Sequence, residues 1–141
     1  MGTLLFERGV AFDRNFDELN LHQAGLIESL HREYLLAGAE LIESNTFGAN
    51  ARRLAPHGLS EKARIIARQG VKVARNAREI VGTTAFVAGS MGPLGKPMEP
   101  LGTISVAVAE QAFRDQAEGL LEGGLDVYLL ETFQDLSEIL T

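Results

Sequence analysis

The 141-residue chain is the size of one ordinary domain, and its 45% hydrophobic content is enough to build a core, so disorder is not expected. A formal net charge of −6 argues against a nucleic-acid backbone or an anionic membrane as the main partner, because both require a basic face. No apolar run approaches a bilayer span and no signal-like core opens the chain, so a soluble cytoplasmic protein is the expectation; the absence of Cys removes disulfides, thiol nucleophiles and thiolate metal ligands together.

Residues 3–10 predict one or two helical turns with Leu4, Leu5 and Phe6 packed inward. Residues 13–20 read as a loop rich in Asp and Asn, anchored by Phe12, Phe16 and Leu19. From His22 to Ala37 the apolar positions Leu26, Ile27, Leu30, Tyr34 and Leu35 recur at spacings of three and four, which predicts an amphipathic helix stopped by Gly38. A short strand follows at 39–44, with strand character centred on 41–44, and residues 45–50 form its exit loop.

A second helix is predicted over residues 60–81, with Ser60 as N-cap and Glu61 in the first turn. Its core stripe is Ala63, Ile66, Ala67, Val71, Ala74 and Ala77. The basic residues Lys62, Arg64, Arg68, Lys72, Arg75 and Arg78 lie mostly off that stripe and read as a solvated face rather than a nucleic-acid patch, since the chain is acidic and lacks interleaved aromatics. A strand at 86–89 leads into the Gly-rich run 89–95. That run lacks the Gly-Lys-Ser/Thr ending of a phosphate loop, and Pro93, Pro97 and Pro100 keep the chain irregular until Ser105. Two readings stand for it: backbone amides facing a small substrate's carboxylate, or a rigid structural turn. The last full helix, 105–122, is expected to turn Val108, Ala112, Ala117, Leu120 and Leu121 inward and to end at Gly123 and Gly124.

The run Val127-Tyr128-Leu129-Leu130 then reads as a strand, 127–131, buried on both faces as parallel strands under helices are. Glu131 stands at its carboxyl end, where α/β folds assemble their sites; it is a candidate for chemistry, or a solvated carboxylate paired with a nearby Arg. Residues 38–47 and 124–133 resemble each other: each has a helix-ending Gly, an acidic residue, an apolar strand and a Thr-Phe exit. With the strand at Phe86 between them, the period of about forty residues suits a (β/α)₈ TIM barrel with decorated loops, of which this chain supplies about half. Residues 135–140 open a further helix.

The runs His31-Arg32-Glu33-Tyr34, Ala37-Gly38-Ala39, Asn45-Thr46-Phe47-Gly48-Ala49-Asn50, Val87 to Gly95 and Leu130-Glu131-Thr132-Phe133 together resemble the homocysteine S-methyltransferase domain. That domain occurs in methionine synthases, in betaine–homocysteine methyltransferases and in bacterial proteins that join it to a methylenetetrahydrofolate reductase, which this chain is most similar to in look. The resemblance covers 1–141 as a single partial domain, the N-terminal half of a homocysteine-binding barrel. It implies methyl transfer to the homocysteine thiol to form methionine, with zinc as the metal and a folate-derived methyl donor among the options. It also implies that Glu131 holds the substrate amino group, that Asn45, Thr46 and Phe47 form the loop beside the pocket, and that Ser90, Met91 and Gly92 bring backbone near the substrate. No catalytic residue is assigned in this half. The family's zinc ligands are three Cys of the second half, and its opening strand with an Asp-Gly motif is matched only at the tail of the following turn, by Met1-Gly2-Thr3. His22, His31 and His57 do not have the spacing of a zinc site.

Three readings follow from the residues and this resemblance. One is the homocysteine-binding half of a zinc-dependent methyltransferase, inactive alone, whose partners are homocysteine, a methyl donor and the rest of the barrel. Another is a non-catalytic half-barrel whose open sheet edges pair with a second chain. The third, an unrelated lyase or aldolase, lacks a Lys at any strand end to form a Schiff base.

Overall fold

A computed structural model describes residues 1–11 and 14–141; the anchor Phe12 and the loop position Asp13 lie outside the described residues. Three short parallel strands, β1 (Leu41–Glu43), β2 (Phe86–Met91) and β3 (Val127–Leu130), pair in the order in which they occur in the chain. Two long helices make the crossovers, α5 (Ala63–Val81) from β1 to β2 and α6 (Val106–Gly123) from β2 to β3. The short helices α1 (Gly2–Glu7) and α2 (Leu19–His22) precede α3 (Ala24–Leu36), while α4 (Ala51–Leu54) and two 3₁₀ turns sit between β1 and α5 and α7 (Leu136–Ile139) follows β3. This is the repeating strand–helix architecture of an arc of a (β/α)₈ barrel.

The register divides the sheet into two chemically different faces. Leu41 pairs with Phe86, Ile42 with Val87, Ala88 with Val127 and Met91 with Leu130. Side chains alternate along a strand, so Ile42, Val87 and Met91 share the face under the helices, where they join Ile66, Ala67, Val71, Ala74 and Leu120 in the main core. The opposite face carries Leu41, Phe86 and Val127 at the amino end of the strands, all exposed. At the carboxyl end it turns polar. A smaller core of Leu5, Leu19, Ile27, Leu30 and Val73 fastens α1, α2 and α3 against α5.

The predicted stripe of α5 is buried as expected, and Gly82 closes that helix at φ +75°. Four expectations are corrected. Ser60 does not cap α5: it lies in the 3₁₀ turn Ser60–Lys62, and its hydroxyl donates to the Ala51 carbonyl at 3.1 Å. In α6 Val108 and Leu121 face outward, and the buried side is Ala109, Ala112, Gln116, Gly119 and Leu120. The reason is Gly119 and Gly123, which let α6 sit directly on α5; a Cβ on Gly119 would lie 2.4 Å from the Arg64 carbonyl oxygen. Phe6 is 47% exposed rather than packed inward, leaving Leu5 as the buried member of α1. Finally, β3 is not buried on both faces. It is an edge strand, and Val127 on the open face and Tyr128 and Leu130 on the helix side are each more than 40% exposed.

The basic residues of α5 are engaged across the crossover. Arg64 reaches Glu118 at 2.6 Å and also pairs with Glu122 on α6, and Arg78 holds Asp126 at 2.7 Å while that carboxylate accepts from Val87 N. Exposed pairs of this kind contribute little individually, so the α5–α6 packing rests on the glycine contact and the apolar stripe.

Candidate functional site

The polar ends of the three strands are tied by one network of hydroxyls. Thr46, fully buried, donates from Oγ1 to the Ser90 carbonyl at 2.8 Å. Its single proton is thereby used, so the 2.7 Å contact between Ser44 Oγ and Thr46 Oγ1 has Ser44 as donor. Ser44 Oγ in turn accepts from Ser90 N at 3.3 Å. Gln116, buried in α6, donates to the Thr46 carbonyl at 2.7 Å, and Gly70 in α5 leaves room for the Thr46 methyl. The exit of β1 is therefore fixed from both sides.

Phe47 and Gly92 are coupled directly. Gly92 N donates to the Phe47 carbonyl at 2.9 Å, and a side chain on Gly92 would strike the Phe47 ring. The Arg53 guanidinium lies over that ring, 5.2 Å from its centroid. Asn45 donates to the Phe16 carbonyl at 2.7 Å, and its own carbonyl accepts from Asn20 at 2.6 Å, which pins the loop to α2 and its entry.

Glu131 continues the β2–β3 ladder by donating its backbone N–H to the Met91 carbonyl at 3.1 Å. Its carboxylate accepts a hydrogen bond from Ser90 Oγ. Directly after it, Thr132 adopts φ +64°, a left-handed conformation that costs a β-branched residue about 1 kcal/mol or more. Strain of that kind at a strand end accompanies sites where the backbone must turn sharply to aim a side chain.

These groups converge on a cavity of ≈ 500 Å³ at the carboxyl end of the sheet. Of the residues singled out in the sequence, Glu131, Asn45, Thr46, Phe47 and Ser90 line it. Met91 and Gly92 stand apart: the Met91 side chain is in the main core, and Gly92 supports Phe47 from behind. Ser90 and Met91 also belong to β2 itself, not to the loop after it.

Sequence reasoning missed Glu43, Asp17 and Arg53, which share the cavity wall. Glu43 was open to the argument used for Glu131, a carboxylate at a strand's carboxyl end. Burial and then the charge of Glu131 raise its pKa. Asp17 is buried, accepts from Gly48 N at 2.9 Å and has its pKa pushed up to about 6, chiefly by burial, against the pull of Gly48 and Arg53. No pattern in the sequence announces a contact between two loop residues thirty-one positions apart.

The three histidines are dispersed: His31 is on the buried side of α3, His22 ends α2 and His57 lines the cavity. Among the described residues no three His, Asp or Glu converge in a way that could hold a metal ion, and the chain has no Cys. The described residues do not form a zinc site. No helix among them is long and apolar enough to cross a membrane.

Comparison with known proteins adds a chemical context. The homocysteine S-methyltransferase family matches residues 1–141. The methionine synthases of Mycobacterium tuberculosis and Mycobacterium leprae are 36% and 37% identical over 124 residues, which is 86% of this chain and 10% of each of those proteins. Crystal structures of the homocysteine methyltransferase MmuM from Escherichia coli, in oxidized and metallated forms, superpose with TM-scores of 0.84 and 0.85 at 28% identity. They cover 99% of this chain, and this chain covers 53% and 54% of theirs. The chain thus spans about half the length of these solved structures and about a tenth of the methionine synthases.

Proposed function

The chain belongs to the homocysteine S-methyltransferase family, and from that premise we propose that it supplies the homocysteine-binding half of a barrel that transfers a methyl group to the homocysteine thiol, forming methionine. The observation that carries this reading is Glu131, aimed into the cavity, fastened by Ser90 and flanked by the Asn45-Thr46-Phe47 loop. A carboxylate held this way accepts strong charge-assisted hydrogen bonds from an ammonium group, so Glu131 anchors the amino end of the substrate. Phe47 supplies an apolar wall for the methylene chain. Thr46 and Ser90 act by fixing the loop and the carboxylate.

A thiol is mostly protonated at neutral pH and is a poor nucleophile until deprotonated, which is the chemistry zinc supplies in this family. The residues of this chain hold and orient; they offer no thiolate or histidine cluster for the metal, whose ligands are assigned to the remainder of the barrel. A cytoplasmic setting completes the reading, with a folate-derived compound one of the options for the methyl donor.

Two measurements test it. The chain alone is expected to retain no stoichiometric zinc and to transfer no methyl group to homocysteine; metal analysis finding one tightly bound zinc per chain would overturn the assignment of the metal to other residues. In the complete enzyme, Glu131→Gln is expected to weaken homocysteine binding by about tenfold or more while leaving zinc content unchanged. Equal affinity in the two proteins removes Glu131 from the site.

The exposed row of Leu41, Phe86 and Val127 supports a second reading, a half-barrel that is non-catalytic and pairs with a second chain. A stable, soluble dimer of the chain alone, without methyl transfer in any assembly, would favour it.

A further inference from the structure

The cavity holds a second carboxylate for which the proposed function has no task. Glu43 is the last residue of β1, and the register fixes its neighbours. It pairs with Ala88, two residues before Ser90; Ser90 pairs with Leu129, two residues before Glu131. Residues two apart share a face of the sheet, so Glu43, Ser90 and Glu131 stand on the same side at the same end. All three line the ≈ 500 Å³ cavity.

Their bonding is unequal. Ser90 Oγ donates to Glu131, whereas the Glu43 side chain receives no hydrogen bond among the described residues. Neither carboxylate is in an ion pair with an Arg or Lys of the described residues, whereas Glu33, Glu118, Glu122 and Asp126 each are. The two acids interact through the cavity: Glu131 is the second cause, after burial, that raises the Glu43 pKa, and the α-amino group of Met1 opposes it. Like charges placed at the same end of one sheet face repel each other. An ammonium placed between them removes that repulsion and donates a charge-assisted hydrogen bond to each. An ammonium group has three N–H donors, enough for both carboxylates and one neutral acceptor.

We propose that Glu43 is a second ligand for the α-ammonium group of the substrate, acting with Glu131 to make the cavity selective for a free amino acid over a deaminated thiol. This rests on reading the cavity as the homocysteine site. The Arg53 guanidinium, stacked on Phe47 in the same cavity, repels a cation, which leaves the strand-end carboxylates as the partners of the ammonium.

The test compares homocysteine with 4-mercaptobutanoate, which keeps the thiol and the carboxylate and lacks the ammonium. Binding of both is measured calorimetrically to the complete enzyme and to its Glu43→Gln and Glu131→Gln variants, with zinc content and circular dichroism as checks of folding. Glu43→Gln is expected to lower the preference for homocysteine by about tenfold, the worth of one charge-assisted hydrogen bond, with affinity for the deaminated analogue held or improved. An equal loss for both ligands assigns Glu43 a structural role and overturns the proposal, as does an unchanged preference. If Glu131→Gln abolishes the preference while Glu43→Gln keeps it, the homocysteine reading stands and the role of Glu43 falls. If neither variant moves it, both fall.

Discussion

Two buried titratable groups set opposing responses to acid. Asp17, with its pKa raised to about 6, keeps a proton in the folded state that the unfolded chain releases down to 3.8, so its contribution to stability grows as pH falls through that window. His31, buried with Nε2 unpartnered, has its pKa lowered to about 4 by burial first and by the N-terminal charge second. Its contribution is complete above 6.5 and is lost as pH falls toward 4. The two contributions are of similar size, each on the order of 3 kcal/mol. Between about 4 and 6 the proton uptakes cancel, so wild-type stability is expected to be nearly flat there from these two groups. Urea midpoints at about pH 7 and about pH 5 check this: Asp17→Asn uncovers a loss on acidification, and His31→Leu uncovers a gain. Slopes of the same sign in both variants would reject the compensation.

At the scale of elements, the α5–α6 contact is the most sensitive joint. Gly119→Ala is expected to cost about 1–3 kcal/mol in urea denaturation, because the new methyl meets a backbone carbonyl that cannot rotate away. A cost below a few tenths would mean the helices slide apart freely. The same joint explains what the sequence revealed and what it hid. α5 was legible because its inward face is a continuous row of Ala, Ile and Val, so hydrophobic period and packing coincide. In α6 the inward face is Ala109, Ala112, Gln116, Gly119 and Leu120, so the tightest contact is made by residues with almost no side chain and the stripe points elsewhere. Glu131 was legible as a carboxylate closing an apolar run. Asp17 and Arg53 were not, because loops carry no period and their contacts are decided by tertiary closure. The burial of β3 was overestimated for a related reason: its apolar run specifies covered faces, and among the described residues Val127 on the open face and Tyr128 and Leu130 on the helix side all stay exposed.

The whole molecule presents an amphipathic sheet face, apolar at Leu41, Phe86 and Val127 and acidic at Glu43 and Glu131. Apolar rows of this kind, beside two unpaired strand edges, promote association. The isolated chain is expected to self-associate in light-scattering measurements, and Phe86→Lys to reduce that association while leaving the helix-side core intact. Unchanged association would move the contact elsewhere. The strand order β1-β2-β3 has one more consequence. Every strand docks on the edge left by the one made just before it, so the sheet grows in the direction of synthesis and never requires a later segment to be inserted between earlier ones. Each strand–helix unit can settle as it leaves the ribosome, and the acidic pair is assembled only when the third strand arrives.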